Sequence, residues 1–313
     1  MDIQTITAYL TQKGIFTKPI FALPITTGAS GAKLWRIEDG GKTYVLKHAH
    51  PSFHSDAGLI AGYRKEFEFY KLNESLGLPF LPNVVHAELH DEYGILLVME
   101  CYDPIPHQRW DADLQKQAVD LCARLNSLDI GQISELNLHF SKTTIDYDFT
   151  ARAYEDWKFV LGQHKGRFDE ALLDEIYANI GTVCPILNAE PHYVYHGDFH
   201  PDNLLSDGKR LYLCDWQNIG IGKCIGDISF FIGRGIGFGI PMNADKLLDY
   251  YCEKLSEYKN MRIEKTTLLK EKHASTVLTT LSFWANYLKD CPAERVAVQF
   301  DDMADAYRYL CEH

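Results

Sequence analysis

The stretch Tyr195-His196-Gly197-Asp198-Phe199-His200-Pro201-Asp202-Asn203-Leu204-Leu205 decides how the chain is read. Asp198 stands five residues before Asn203, and twelve residues after Asn203 comes Asp215, in Cys214-Asp215-Trp216-Gln217. Two short strand-like runs bracket the first segment, Tyr193-Val194-Tyr195 before it and Leu211-Tyr212-Leu213 after it, each followed by a polar turn. Asp198 and Asn203 therefore fall on a loop between strands, and Asp215 at a strand end. Taken alone, Asp-x-x-x-x-Asn means little, because both residues are common in turns. The order of landmarks around it carries the weight.

Working outward, the first third of the chain alternates like a sheet. Residues 26–39 and 43–48 read as two strands joined at Asp39-Gly40-Gly41, where glycines allow a tight hairpin. A helix is expected over 59–76, with Tyr63, Phe67 and Tyr70 recurring at three- and four-residue steps. Strands are expected again over 84–89 and 94–100. Pro104 and Pro106 mark a linker, and beyond it 114–128, 147–162, 168–187, 244–258, 264–288 and 294–311 carry helical patterning. The reading is α+β and bilobal: a β-rich N-lobe over 1–100, a hinge over 101–107 and a helical C-lobe over 108–313, with a cleft between the lobes where ligands commonly bind.

The order Asp198, Asn203, Asp215 matches, with nearly the same spacing, the kinase catalytic loop and the Asp-led metal motif that follows it. Phosphoryl transfer accounts for the residue types. Mg²⁺ is a hard ion that prefers oxygen, so the Asn203 amide and the Asp215 carboxylate suit metal binding. A further carboxylate must orient the acceptor hydroxyl and take its proton, and Asp198 suits that role. The segment from His196 to Asn203, together with Asp215-Trp216-Gln217, resembles the aminoglycoside phosphotransferase and choline kinase superfamily, the small-molecule branch of the protein-kinase-like fold. Glycine at 197, where a protein kinase has arginine, and Asp-Trp-Gln in place of Asp-Phe-Gly both favour that branch. The resemblance is specific over 196–227 and loose elsewhere between 26 and 288.

That resemblance implies an ATP-dependent, Mg²⁺-dependent transfer to a hydroxyl of a small molecule. It implies that Lys47, ending Tyr44-Val45-Leu46-Lys47, meets the α and β phosphates, and that a helical glutamate fixes it, Glu66 or alternatively Glu68. It implies a phosphate loop over 27–32, with Gly28 and Ser30 contributing, and a hinge at Met99-Glu100-Cys101 whose backbone groups bind the base. Asp227 in Gly226-Asp227 would hold the catalytic loop by hydrogen bonds.

Other features have plainer readings. Gly40-Gly41-Lys42-Thr43 resembles the tail of a Walker A loop, but Arg36 stands where its first glycine belongs and the segment joins two strands. Gly233-Arg234-Gly235-Ile236-Gly237-Phe238-Gly239 follows no strand, so it reads as a connector or substrate-end loop rather than a dinucleotide fingerprint. His196 and His200 flank Asp198 and raise a metal-hydrolase reading, against which His196 is read as packing beneath the loop. Phe283, Trp284 and Tyr287 are read as core rather than as a cation platform, and Asp146, Asp148, Glu155 and Asp156 as a solvated face.

The chain has 313 residues, 46% hydrophobic and 24% charged, with 31 basic and 43 acidic residues and a formal charge of −12. That acidity argues against a nucleic-acid binder and leans towards cationic or metal-complexed ligands. The eight cysteines form no C-x-x-C pair, and neither a membrane-spanning stretch nor a signal peptide is seen, so free thiols and a cytoplasmic location are expected. The choice among acceptors, ATP or GTP as donor, and the oligomeric state are open at this point. So are two other classes, a catalytically weak nucleotide-binding regulator on the same fold and a metal-dependent hydrolase.

Overall fold

A computed structural model describes residues 2–18, 21–26, 31–53 and 56–313. The chain opens with helix α1 (Ile3–Gln12), then strands β1 (Ala22–Ile25), β2 (Lys33–Asp39) and β3 (Lys42–Ala49), helix α2 (Ala57–Leu76), and strands β4 (Val84–His90) and β5 (Gly94–Glu100). These strands make one antiparallel sheet in the order β1-β2-β3-β5-β4. The β2–β3 hairpin turns at Gly40 and Gly41, with φ of 59° and 79°, and pairs Asp39 with Lys42.

Strand alternation gives the sheet two buried faces. Ile37, Leu46, Leu96 and Val98 point to one side, where Ile6 and Leu10 of α1 and Phe16 cover them. Lys47, Leu97 and Met99 point to the other, towards α2 and the C-lobe. Helix α1 was not evident in the sheet-like reading of the first third, and of the strand expected over 26–39 the described part is the shorter β2, with β1 a separate strand ahead of it. Helix α2 starts where the Asp56 carboxylate accepts from the Gly58 and Leu59 amides, and stops at Gly77.

After the hinge come β6 (Asp103–Pro104), α3 (Ala112–Asn126), α4 (Tyr147–Gly162), α5 (Glu170–Ala178), α6 (Val183–Asn188), β7 (Tyr193–Tyr195), β8 (Leu204–Ser206), β9 (Leu211–Leu213) and β10 (Gly220–Gly222). Helices α7 (Ile225–Gly237), α8 (Ala244–Lys259) and α9 (Lys265–Thr279), a π-helical turn (Thr280–Trp284), α10 (Ala285–Leu288) and α11 (Ala293–Glu312) complete the chain. Strand β7 pairs with β10, and β8 lies between β6 and β9.

The largest core crosses from lobe to lobe: Phe69, Phe80, Leu97 and Met99 from the sheet side meet Phe199, Leu213 and Trp216 from the helical side. A second core joins α4, α5 and α6 to α9, the π turn, α10 and α11, with Trp157 and Leu281 fully buried. All eight thiols are free, and Cys311 alone is exposed. Among the described residues no helix is long and apolar enough to cross a membrane.

Two expectations are corrected here. The glycine-rich run from Gly233 lies largely within α7, because Ile228, Phe231 and Ile232 supply a buried helical face. Phe283 and Tyr287 are 55% and 74% exposed rather than core, since they stand on the outer side of the π turn and α10.

Candidate active site

Three segments meet beneath the sheet: the loop between β7 and β8, the turn after β9, and the paired Lys47 and Glu66. The first loop is possible because residue 197 is glycine. Its φ is +81°, and a Cβ there would lie 2.7 Å from the Asn218 carbonyl oxygen. The Asp227 carboxylate, buried at the start of α7, accepts the His196 N–H at 2.8 Å, the Gly197 N–H at 2.9 Å and the Asn126 side-chain amide at 3.1 Å. Asn126 in turn donates to the Val194 carbonyl and accepts from the Tyr251 hydroxyl. Asp227 thus anchors the loop from below without facing the cleft.

His196 ties the two chemical loops together. Its Nδ1 accepts the Asp198 N–H at 3.2 Å, so Nε2 carries the proton and donates to the Cys214 carbonyl at 3.0 Å. Burial lowers its pKa, more than the surrounding carboxylates raise it, which keeps the ring neutral and this tautomer in place. With both nitrogens engaged, His196 has none left for a metal, which removes the main support for a zinc hydrolase.

Asp198 is half-buried. Asn203 Nδ2 donates to its carbonyl at 2.8 Å and to its Oδ2 at 3.1 Å, while His200 Nε2 stands 3.7 Å from Oδ1. The neighbouring His200, then the Asn203 amide, hold this carboxyl below the ordinary range against the opposing effect of burial. It is therefore an ionised hydrogen-bond acceptor at neutral pH.

Asp215 follows β9 in the left-handed region, φ +67°, a conformation a non-glycine residue holds only when its surroundings impose it. The constraint is visible. Trp216 is fully buried, donates its indole N–H to the Leu213 carbonyl at 2.8 Å, and packs against Phe69 of α2 with centroids 4.6 Å apart. Lys47 Nζ lies 3.0 Å from Asp215 Oδ1 and 2.6 Å from Glu66 Oε2, with the Lys47 and Glu66 side chains 8% and 2% exposed. Burial works to discharge this lysine, but the two carboxylates outweigh it and hold its pKa above the ordinary value. Lys47 pairs with Glu66 and not with Glu68.

The oxygens fit a hard divalent ion. Asn203 spends its amide hydrogens on Asp198, leaving Oδ1, and Asp215 Oδ1 is taken by Lys47 and Gln217, leaving Oδ2. Two oxygen ligands with room for phosphate and water are the set Mg²⁺ uses. Among the described residues no cluster of three or more His, Cys, Asp or Glu side chains forms a closed metal cage.

At the hinge the sheet itself consumes most of the backbone. Met99 is paired with Val45 on one side and Val84 on the other. The Glu100 N–H goes to the Asn83 carbonyl at 2.9 Å and the Cys101 N–H to the Thr43 carbonyl at 3.0 Å. Among the described residues no backbone carbonyl takes the Tyr102 N–H. The sequence missed Tyr102, because which amide a strand end leaves open depends on register. It also missed Gln217, Asn126 and Tyr251, whose partners are set by tertiary packing. Gly28 and Ser30 lie outside the described residues.

The family model described as phosphotransferase enzyme family matches residues 22–262. No curated protein matches the sequence. Among solved structures, the chain is similar to choline kinase from Cryptosporidium parvum Iowa II, at 13% identity and a TM-score of 0.60, covering 99% of this chain and 97% of that one. It is similar to spectinomycin phosphotransferase in complex with ADP and spectinomycin, at 14% identity and 0.56, covering 97% and 94%. It is also similar to an aminoglycoside-3'-phosphotransferase of type VIII, at 20% identity and 0.51, covering 85% and 96%. At these identities the likeness is one of fold, the bilobal kinase-like architecture. The family match runs from the first strand of the sheet through both chemical loops and past α8, and with it the chain belongs to the phosphotransferase enzyme family.

Proposed function

We propose that the chain transfers the γ-phosphoryl group of ATP, as its Mg²⁺ complex, to a hydroxyl of an amine-bearing small molecule. The observation that carries this reading is the linkage of the chemical groups: Asn203 on Asp198, Lys47 on both Glu66 and Asp215, and His196 joining the two loops. Transfer through a loose transition state asks a protein mainly for positioning and charge neutralisation, and this arrangement supplies both.

In this reading Asp198 orients the acceptor hydroxyl and takes its proton, and Asn203 keeps the carboxylate turned towards it. Lys47, held by Glu66, meets the α and β phosphates. Asn203 Oδ1 and Asp215 Oδ2 would hold the metal ion, which when bound neutralises phosphate charge. The purine would lie under the sheet face that carries Val45 and Lys47, with its edge on the hinge. There the Tyr102 N–H is the open donor, one residue beyond the Met99-Glu100-Cys101 stretch whose backbone the sequence pointed to. Gly28 and Ser30 remain our candidates for the phosphate loop. An amine-bearing acceptor is supported by the net charge of −12 and by the choline, spectinomycin and aminoglycoside kinases among the similar structures.

The test is Mg²⁺-dependent ADP release from ATP across a panel of amino alcohols, aminoglycosides, macrolides, sugars and sterols, with Asp198→Asn alongside. We expect one class to stimulate release, and the variant to bind ADP normally while turning over at least ~100-fold more slowly. Stimulation by an amine-free acceptor alone would remove the amine requirement. Wild-type turnover by Asp198→Asn would remove the proposed base, and binding of Mg·ADP without any stimulated release would favour a nucleotide-binding regulator.

A further inference from the structure

Two tyrosines far apart in the chain meet at the corner where the hinge joins the cleft floor. The rings of Tyr102 and Tyr212 lie 3.9 Å apart between centroids at an interplanar angle of 22°, a close stack. Each ring is also pinned at its rim. The Tyr102 hydroxyl donates to Glu100 Oε2 at 3.2 Å and accepts the Asn83 N–H at 3.4 Å, and the Tyr212 hydroxyl donates to Asp207 Oδ2 at 2.9 Å. A ring held both by its face and by its oxygen has little freedom to tilt.

The strand registers say which way this pair faces. In β8 and β9, Leu204, Leu211 and Leu213 are buried in the largest core, so the alternating residues Leu205 and Tyr212 point the opposite way, to the side on which Tyr102 stacks. Leu205 is the cross-strand partner of both Tyr212 and Pro104, so Pro104, Leu205 and Tyr212 form one row on that face. Tyr102 lies over the end of this row, and its own N–H is the one hinge amide from Glu100 to Tyr102 that no backbone carbonyl takes among the described residues. The stack therefore fixes the segment that carries the free donor.

We infer that Tyr212 is a positioning residue for the purine: by clamping the Tyr102 ring it aims the Tyr102 N–H at the base, and so makes the site select adenine. The inference rests on the nucleotide reading proposed above. Its chemistry is specific. Adenine presents an unprotonated N1 that accepts from an N–H, whereas hypoxanthine carries a proton on N1 and offers no acceptor there. A well-aimed amide separates the two bases; a loose amide, free to turn towards water, separates them poorly.

The experiment is calorimetric binding of Mg·ADP and Mg·IDP to the full chain, which needs no acceptor. Wild type is expected to prefer ADP. Tyr212→Leu is expected to weaken ADP by about tenfold, the worth of a well-formed aromatic pair, while IDP changes little, so that the preference collapses. Tyr212→Phe, which keeps the ring, is expected to restore it. Should the leucine variant not fold, Tyr102→Leu removes the same stack from the hinge side and keeps the amide. Equal weakening of ADP and IDP would mean a merely structural ring and overturn the inference, as would an unchanged preference or a wild type that does not discriminate. A wild type that binds neither nucleotide would overturn the nucleotide reading itself.

Discussion

Lys47 keeps its charge in the interior only because two carboxylates share it. Removing one of them should be costly, since a buried ion that loses its partner retains its desolvation penalty. Glu66→Gln preserves shape and leaves Lys47 with Asp215 alone. We expect unfolding free energy in urea to fall by about 3 kcal/mol, and a loss within error of zero would show that Asp215 suffices. His48, on the neighbouring position of β3, behaves in the opposite way. Its ring is buried between Trp35 and Phe53 and donates its Nε2–H to the Tyr93 carbonyl, and burial lowers its pKa to about 4 from 6.5. In the window between those values the unfolded chain binds the proton and the folded chain does not. The stabilisation from a neutral His48 is thus complete above pH 6.5 and drains away as pH falls towards 4. Melting temperature should drop by several degrees between pH 7 and pH 5, with a shallower slope in His48→Gln. At this scale the sequence was informative where chemistry narrows the residue type. Glu66 could be preferred because Tyr70 follows one turn later on the core side. The hinge donor could not be found, because every amide looks alike until the sheet has chosen its hydrogen bonds.

Helices were visible as patterns, and their interruptions were not. Residues 264–288 read as one helix, but the structure breaks it into α9, the π turn and α10. The cause lies 123 positions away, where the Trp157 indole N–H reaches the Thr280 and Leu281 carbonyls, each at 3.1 Å. A wider turn frees carbonyls that must find another donor, and Trp157 supplies it from α4. Trp157→Phe should leave two buried acceptors short of a partner and destabilise the chain by about 1–3 kcal/mol, with Mg·ADP binding unchanged because the turn lies in the second core. A variant as stable as wild type would mean water replaces the indole. Helix α7 teaches the converse. Its glycines suggested a connector, yet Ile228, Phe231 and Ile232 bury a continuous face, and Gly235 sits where a Cβ would run into the end of Met242. Burial of one face outweighed the weak helical preference of glycine. Helix α1 was overlooked for a related reason: the strand patterns after it drew the reading, although Ile6 and Leu10 stand one helical turn apart.

The two lobes were legible from the change in pattern near residue 101, but nothing in the sequence announced the seam that joins them. Trp216, on the turn after Asp215, packs into α2 and belongs to the same core as Phe69, Phe80 and Met99. Helix α9 joins that core to the second one, with Leu268 in the first and Ala274 and Val277 in the other. We therefore expect one heat-unfolding transition, with equal calorimetric and van't Hoff enthalpies, moved upward by Mg·ADP. Two resolved transitions would mean the lobes melt separately. The eight free thiols add an unforced consequence. Burial pushes those of Cys122 and Cys224 far up and that of Cys214 to about 12, so they stay protonated and inert, whereas Cys311 is open to solvent. An alkylating reagent at neutral pH would mark Cys311 at once and the interior only as it opens. Since Cys101 and Cys214 flank the cleft while Cys122, Cys224 and Cys252 lie deep in the helical lobe, the order in which mass is added would chart how the molecule comes apart.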